Sequence, residues 1–319
     1  MALGYFLRRF RHAMLVILVV PLLSFLVLQA APGEFGSDLR VDPQVSATTI
    51  DSIRAHYGLD QSATVRYGAW LKAVAHGDFG YSFAYNVPAA PIVFERARNT
   101  LLLSVSAGAI AWALAIPLGV LSAATKNHWF DTICGATTSF MLGVPELLAA
   151  LMLLIIADRT HWLPIAGIAD EVGGAAGISA FRHMLLPVCA IVFVMLPTLV
   201  RHVRASMIDS LQRPYVRAAR ANGLRRPVLL FRYALRAAAN PILSLAGLSV
   251  ASLLSVSLIV EIVFAWPGFG PMLLDAIHAR DTYVIIDAGL LTTLLVVFAS
   301  YAADIAIFVC DPRIRSERA

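Results

Sequence analysis

The segment YVRAARANGL, Tyr215–Leu224, is basic and rich in small residues, and it lies between two of the most apolar stretches of the chain. On one side is the run Leu185–Val203, and on the other is the run Ile242–Phe264. Both runs fall within the roughly 17–25 residues that an α-helix needs to cross the hydrocarbon core of a bilayer. The segment is therefore predicted to lie in a polar connection between two membrane-spanning helices.

The composition of the whole chain indicates the same class of protein. Of its 319 residues, 59% are hydrophobic and 14% are charged, whereas soluble domains have about 45–50% apolar and about 25% charged residues. The formal net charge of +5 is explained by the excess of Lys and Arg in cytoplasmic loops, so nucleic-acid binding is not expected. We predict an all-α polytopic membrane protein with about six transmembrane helices and a small extracytoplasmic subdomain after the first helix.

Apolar runs of membrane-spanning length place the six spans. The first run follows three arginines and ends in LQAAPG, so it also resembles a secretory signal peptide with a cleavage site. Because it is longer than the roughly 7–15 residues of a signal hydrophobic region, we expect a retained first helix. The predicted spans are Met14–Gln29, Thr100–Ala123, Ile133–Ile156, Leu185–Val203, Ile242–Phe264 and Ile286–Val309.

The distribution of arginine predicts the orientation of the spans. Arginines crowd the N-terminus, the connection between the fourth and fifth spans, and the C-terminus, which all fall on one side if there are six spans. Since cytoplasmic loops carry the excess of Lys and Arg, both termini are expected in the cytoplasm. The resulting division is 1–30 (cytoplasmic segment and first helix), 31–99 (extracytoplasmic loop subdomain), 100–309 (five-helix core, including the cytoplasmic loop 204–240) and 310–319 (cytoplasmic tail).

The extracytoplasmic segment is predicted to contain two short helices. One is in QVSATTIDSIRAHYGL (Gln44–Leu59), and the other is in YGAWLKAVAHGDFG (Tyr67–Gly80), where glycines end the helix. The segment is too short to bury an independent core of its own.

Proline and glycine define a short helix in the basic connection. Pro214 suits the first turn of a helix, and Gly223 suits the left-handed position just past its end. We therefore predict a helix over Tyr215–Asn222 of about two turns, at roughly 3.6 residues per turn. Pro227 is expected to start a second helix, which Pro241 ends or kinks.

Two hypotheses account for this helix. An ordinary cytosolic loop explains the arginines but not the helix–glycine–helix pattern. A docking helix explains both, because Ala218 and Ala219 permit close approach of a partner backbone, while Arg217 and Arg220, three residues apart, share a face.

The segment resembles the cytoplasmic coupling loop, or EAA-type loop, of permease subunits of bacterial ABC importers. Ala218, Ala219 and Gly223 match the double alanine and following glycine of that loop. The family's acidic residue before the alanines is replaced by Arg217, as is usual in the branch that imports peptides and nickel. The resemblance implies that Tyr215, Arg217, Ala218, Ala219, Arg220 and Gly223 form the site that couples the chain to an ATPase.

Similarity to the same branch extends along most of the chain. Its positions relative to the six spans are in the expected order. The matching stretches are YGLDQSATVRYGAWL, HGDFGYSF, RNTLLLS, WLPIAG, RHMLLPV, RASMIDSL, VEIVFAWPGFG, DAIHARDTYVI and DPRIR. Four positions depart from the family pattern, namely Glu146, Ser255, Val256 and Ser300.

The resemblance implies a set of partners and a function. The partners are a second related permease, two ATPase subunits that bind ATP and Mg, an extracytoplasmic substrate-binding protein, and the lipid bilayer of the bacterial inner membrane. The chain itself would form half of a pathway for dipeptides or oligopeptides. Nickel or a nickel chelate is the alternative cargo, because that branch shares the same motifs.

The sequence contains no nucleotide-binding or catalytic pattern of its own. A Walker loop requires the pattern G-x-x-x-x-G-K-[ST], and neither Lys72 nor Lys126 follows a glycine. No catalytic residue, metal site or cofactor is therefore expected in this chain. The other classes that remain open are an ATP-independent carrier, which would not need the coupling loop, and an intramembrane enzyme, for which no G-x-S-x-G or H-E-x-x-H pattern occurs.

Four residues are candidates for the translocation pathway or its gate. Glu146 follows Pro145 inside the third predicted span, and a carboxylate there is costly unless it faces water or a partner. Glu261 lies near the predicted outer end of the fifth span, and FAWPGFG follows it, with Trp266 and Phe269. The alternative for Glu146 is a helix-kink residue paired to a neighbouring helix, and the alternative for Glu261 is a hydrogen-bonded structural role. For Trp266 the alternative is anchoring at the membrane–water interface.

Overall fold

The structure is a computed structural model that describes residues 2–30, 61–82, 84–161, 163 and 176–310. The helix predicted at Gln44–Leu59 and nearly all of the tail 310–319 lie outside these residues. The described part of the chain is almost entirely α-helical. It divides into two compact units, one built mainly on Thr100–Pro267 and the other on the described residues before Thr100 together with Gly268–Leu295.

Five described helices are long and apolar enough to cross a membrane. Their windows confirm the first, second, fourth, fifth and sixth predicted spans. They belong to helices α1 (Ala2–Ala30), α3 (Ala89–Ala124), α6 (Ala176–Leu211), α10 (Ala239–Val263) and α12 (Thr282–Cys310). Several of these helices extend beyond the predicted apolar run, because their end turns carry polar residues that a hydropathy window leaves out.

The third predicted span is a bent pair of helices. Helix α4 (Trp129–Gly143) and helix α5 (Glu146–Thr160) meet at an angle of 98°. Pro145 has no backbone N–H and disfavours helical geometry in the residue before it, and Val144 is accordingly extended, with φ −92° and ψ 119°. The span predicted over Ile133–Ile156 is therefore broken at Val144–Pro145.

Helices α3 and α6 approach each other closely in the first unit. A Cβ added to Gly119 would lie 2.7 Å from the Cβ of Val203, so only a glycine allows this spacing. Buried apolar residues of α3, α5, α6 and α10 form the core of the unit. Among the described residues of this unit, the buried carboxylates are Asp131 and Glu261.

The second unit contains the described part of the predicted extracytoplasmic subdomain. Helix α2 (Ala63–Ala75) confirms the second predicted short helix, and a two-stranded antiparallel sheet follows, β1 (Tyr81–Ser82) with β2 (Val87–Pro88). Trp70 of α2 is buried with Phe25 and Ile286, and its indole Nε1 donates a hydrogen bond to Asp287 Oδ1 at 3.0 Å. Helix α11 (Phe269–His278) completes the unit.

The connection between α6 and α10, residues 212–238, is called the basic segment below. It contains helix α7 (Pro214–Ala221), helix α8 (Arg226–Val228), a π-helix (Leu229–Ala234) and helix α9 (Leu235–Ala237). Helix α7 confirms the predicted first helix, and α8 begins next to Pro227 as expected. The second helix ends at Ala237 and α10 begins at Ala239 with Pro241 in its first turn, so the break predicted from Pro241 lies at Ala238, at the entry to the fifth span.

Candidate coupling site

Helix α7 is held on the chain by its own inner face. Val216 and Ala219 are buried in a cluster that also contains Val120 of α3, Val203 of α6 and Leu230 of the π-helix. This packing fixes the orientation of a helix that would otherwise be too short to be stable in water. It also determines which side chains remain on the surface.

The outer face of α7 carries the remaining residues of the predicted docking helix. Arg217, Ala218 and Arg220 are exposed, and Tyr215 is 44% exposed. The expectation that both alanines present a bare surface needs correction, because Ala219 faces into the chain and is only 7% exposed. Ala219 thus permits packing of α7 on its own subunit. Ala218 adds only a methyl group to the outer face, so a partner can approach the helix backbone there.

Gly223 ends α7 as the sequence predicts. Its φ is +75°, and its N–H donates to the carbonyl of Arg220 at 3.1 Å. A left-handed backbone costs a residue with a Cβ about 1–2 kcal/mol, so the conformation favours glycine. A Cβ placed there would meet nothing within 4 Å in this chain, which leaves open space beside the end of the helix.

The basic segment is uniform in charge. Residues 212–238 contain no Asp or Glu. One of the arginines is tied back to the first unit, since Arg226 Nη2 donates to the carbonyl of Ala124 at 2.5 Å. The surface therefore suits a partner with carboxylates at its rim. The exposed arginines are Arg213, Arg217, Arg220, Arg225, Arg226, Arg232 and Arg236.

The π-helix presents an apolar side chain that sequence reasoning missed. Leu229 and Leu230 are both buried, whereas Phe231 is 48% exposed. The wider turn of a π-helix changes the angular spacing of successive side chains, so a period of 3.6 residues does not show which of these three faces outward. No signal in the sequence identifies the π-helix. An exposed phenylalanine in a basic loop is nevertheless a candidate anchor for a partner protein.

The candidate pathway residues occupy different environments. Glu146 is the first residue of α5, at the bend, and is partly exposed. Glu261 is fully buried near the end of α10, and its carbonyl accepts a hydrogen bond from the backbone N–H of Trp266 at 2.8 Å. Trp266 and Phe269 are buried as well. The burial of Glu261 favours its structural alternative, and the role of Glu261, Trp266 and Phe269 as a gate stays a prediction.

The part of the chain that the structure describes contains no candidate metal-binding site. There, no group of three or more His, Cys, Asp or Glu side chains is arranged to hold a metal ion. The features that stand out are instead a packed basic helix, a broken span and several membrane-spanning helices, which define the class of a multi-pass membrane protein.

Comparison with known proteins identifies the family. A profile described as binding-protein-dependent transport system inner membrane component matches residues 115–316, and the corresponding N-terminal profile matches residues 2–104. The chain therefore belongs to the family of inner membrane components of binding-protein-dependent transport systems. It is a transport subunit and not an enzyme, and the resemblance to ABC importer permeases of the peptide branch is confirmed.

Individual relatives are similar over almost their whole length. The oligopeptide transport system permease protein AppB of Bacillus subtilis is 31% identical over 313 residues, which cover 98% of this chain and 99% of AppB. The dipeptide transport system permease protein DppB of Escherichia coli is 29% identical over 339 aligned positions, covering 99% of this chain and 100% of DppB.

A solved structure shares the fold. The inward-facing MetNI methionine ABC transporter matches with a TM-score of 0.57 at 16% sequence identity, over 69% of this chain and 96% of that one. Such a likeness supports the architecture and carries no information about cargo. The names of AppB and DppB describe oligopeptide and dipeptide transport systems.

Proposed function

We propose that this chain forms half of a pathway that imports dipeptides or oligopeptides across a bacterial inner membrane. The similarity to AppB and DppB over nearly the whole chain supports this cargo. Nickel remains the alternative to be tested, because the motifs of the basic segment do not distinguish the two.

The energy for transport comes from separate subunits in this proposal. Two ATPase chains bind ATP and Mg, a second related permease supplies the other half of the pathway, and an extracytoplasmic binding protein delivers the substrate. The basic segment faces the cytoplasm, as do both termini, in accord with the excess of arginine on that side. Helix α7 docks on an ATPase with its outer face.

The mechanism is a two-state change driven from outside the chain. ATP binding closes the ATPase pair and moves α7, and the spans switch from an inward-open to an outward-open state. Val216 and Ala219 anchor α7 against α3 and α6. A displacement of α7 by the ATPase therefore also displaces these two helices. Hydrolysis resets the cycle.

The docking part of this proposal rests on one observation, namely that α7 has a buried inner face and an outer face of arginines and a small side chain. The test is uptake of labelled dialanine and trialanine by cells that contain the complete transport system. Ala218→Asp and Gly223→Asp should abolish uptake and the co-purification of the ATPase, while the amount of chain in the membrane stays normal.

A matched control separates position from charge. Gln212→Glu adds the same single negative charge beside α7 without added bulk, and it should retain most uptake. If the variants at Ala218 and Gly223 transport both peptides normally, α7 is not the docking element. If the parent system takes up nickel but neither peptide, the proposed cargo is wrong.

A further inference from the structure

The buried carboxylate of Asp131 connects helices α3, α4 and α6 near the basic segment. Asp131, at the start of α4, is 7% exposed and accepts four hydrogen bonds. Arg204 of α6 provides two of them, from Nε at 2.6 Å and from Nη2 at 2.7 Å. The hydroxyl of Ser122 in α3 donates at 2.5 Å, and the backbone N–H of Asn127 donates at 3.1 Å.

We propose that the Asp131–Arg204 ion pair transmits the movement of the coupling helix α7 to the broken span α4–α5. Asp131 and Arg204 are positioning residues in this proposal, and neither touches substrate. The inference rests on the proposed function, since it requires an ATPase that moves α7.

The location of Arg204 supports transmission from one side. It lies seven residues before the end of α6 at Leu211, which is about two helical turns. Helix α7 begins only three residues beyond Leu211, and the intervening backbone stays hydrogen-bonded, with Gln212 N–H to the carbonyl of Asp209 at 3.2 Å. A displacement of α7 is thereby imposed on the end of α6 that carries Arg204.

The location of Asp131 supports transmission to the other side. It lies in the first turn of α4, a helix of 15 residues that leads directly to the 98° break before Glu146. An α-helix rises about 1.5 Å per residue, so α4 reaches about 20 Å from the ion pair to the break. If the first turn of α4 moves together with α6, the far end of α4 moves too, and the orientation of α5 beyond the break changes.

The geometry of the contact explains why an ion pair serves better than apolar packing. A guanidinium that binds both carboxylate oxygens fixes direction as well as distance, so α4 cannot slide or rotate against α6 while the pair is intact. Apolar surfaces lack this directional constraint. The Asp131 side chain is 7% exposed and the Arg204 side chain 33% exposed. Such a partly buried ion pair is also weak evidence for a purely stabilising role, because apolar replacements of similar volume are often neutral or stabilising.

Single variants test the pair in the assembled transport complex. Asp131→Asn removes the charge, and Arg204→Lys keeps the charge but loses the two-pronged contact. The matched controls are Asp209→Asn and Arg201→Lys, which change exposed residues of α6 in the same way. Peptide transported per ATP hydrolysed should fall about fivefold or more in the two test variants, at the low end of coupling between sites, and should stay at the parent value in the controls.

A double variant separates transmission from stability. Asp131→Leu combined with Arg204→Met replaces the pair by apolar side chains and should recover the yield and melting temperature of the complex. If transport per ATP remains low in this stable complex, the pair transmits movement. If transport per ATP returns to the parent value along with stability, the pair is only structural and the inference is overturned.

A distance measurement keeps the inference testable when neither peptide is a substrate. Spin labels at Phe140→Cys, on α4, and Leu224→Cys, in the basic segment, are introduced after replacement of the native cysteines. Their separation should be the same with and without ATP in the parent complex and should change with ATP in Asp131→Asn. A separation that changes in both proteins, or in neither, contradicts the inference, whereas failure of peptide uptake alone contradicts only the proposed cargo.

Discussion

Ala218 and Ala219 are neighbours in sequence, yet they serve opposite faces of α7. Ala218 is exposed on the outer face, and Ala219 is buried against the first unit. A double alanine in this position thus answers two constraints at once, one set by the chain itself and the other by the surface that the helix offers to a partner.

This difference predicts separate effects for the same substitution. Ala219→Leu adds bulk to a packed cluster and should lower the stability of the chain by about 1–3 kcal/mol. Ala218→Leu should leave stability unchanged and weaken association with the ATPase. Thermal melting of the purified chain and co-purification of the ATPase measure the two effects, and equal melting temperatures for both variants would contradict the assignment of faces.

The left-handed backbone at Gly223 predicts a graded series. Gly223→Ala should cost about 1–2 kcal/mol because φ is positive there. Gly223→Asn should cost less, since asparagine adopts this conformation more readily. Peptide uptake should therefore decrease in the order Gly, Asn, Ala. Equal uptake for Asn and Ala variants would show that open space, rather than backbone conformation, is what the position requires.

The hydrogen bond between Trp70 and Asp287 predicts a penalty that a second change relieves. Trp70→Phe removes the donor of a 3.0 Å bond and leaves a buried carboxyl oxygen without it, which should cost about 1–3 kcal/mol. Combining Trp70→Phe with Asp287→Leu removes both polar partners and should recover much of that loss. Melting of the detergent-solubilised protein measures this, and a double variant less stable than Trp70→Phe would refute the explanation.

The stability of the second unit should depend on pH through the ionisation of Tyr85. Burial, and then the hydrogen bond from Tyr85 Oη to Asp275 Oδ2 at 2.9 Å, raise the pKa of Tyr85 to about 12. Because the folded protein favours the protonated phenol, this stabilisation is present below the unfolded pKa of about 10 and is lost as the pH rises through the folded pKa.

Ultraviolet absorbance of tyrosinate tests this assignment. Compared with Tyr85→Phe, the parent protein should show one additional tyrosine that ionises with a pKa of about 12. If the parent and Tyr85→Phe give identical absorbance titrations above the ordinary tyrosine pKa of about 10, the assignment to Tyr85 is wrong. The variant should also lose less stability than the parent between these two pKa values, and Tyr81→Phe is a suitable control, since Tyr81 lies in the same hairpin.

The sequence predicted the elements that depend on local chemistry. Hydropathy placed the spans, and Pro214 with Gly223 placed α7 to within a residue at each end. Those signals are local because capping and burial in lipid act over a few residues. The family resemblance followed from the same short stretches.

The break in the third span could not be predicted from proline alone. Pro117, Pro187 and Pro197 all lie inside continuous helices, whereas Pro145 separates two helices. Tertiary packing decides whether neighbouring groups compensate for the missing hydrogen bond. The orientation of Phe231 was likewise hidden by the π-helix.

The Asp131–Arg204 ion pair was hidden for a different reason. Its two members are 73 residues apart, and each is unremarkable by itself: an acid before an apolar run and one arginine among many. Only the approach of α4 to α6 brings them together. Contacts of this kind depend on the packing of whole helices and leave no short pattern.

Cross-linking from α7 in the assembled complex tests the central claim most directly. A cysteine-reactive cross-linker attached at Ala218→Cys should join the chain to the ATPase subunit, and the same reagent at Val65→Cys, an exposed position of α2, should not. If Ala218→Cys supports normal uptake yet captures no ATPase subunit in any nucleotide state, α7 does not dock on the ATPase and the account is wrong.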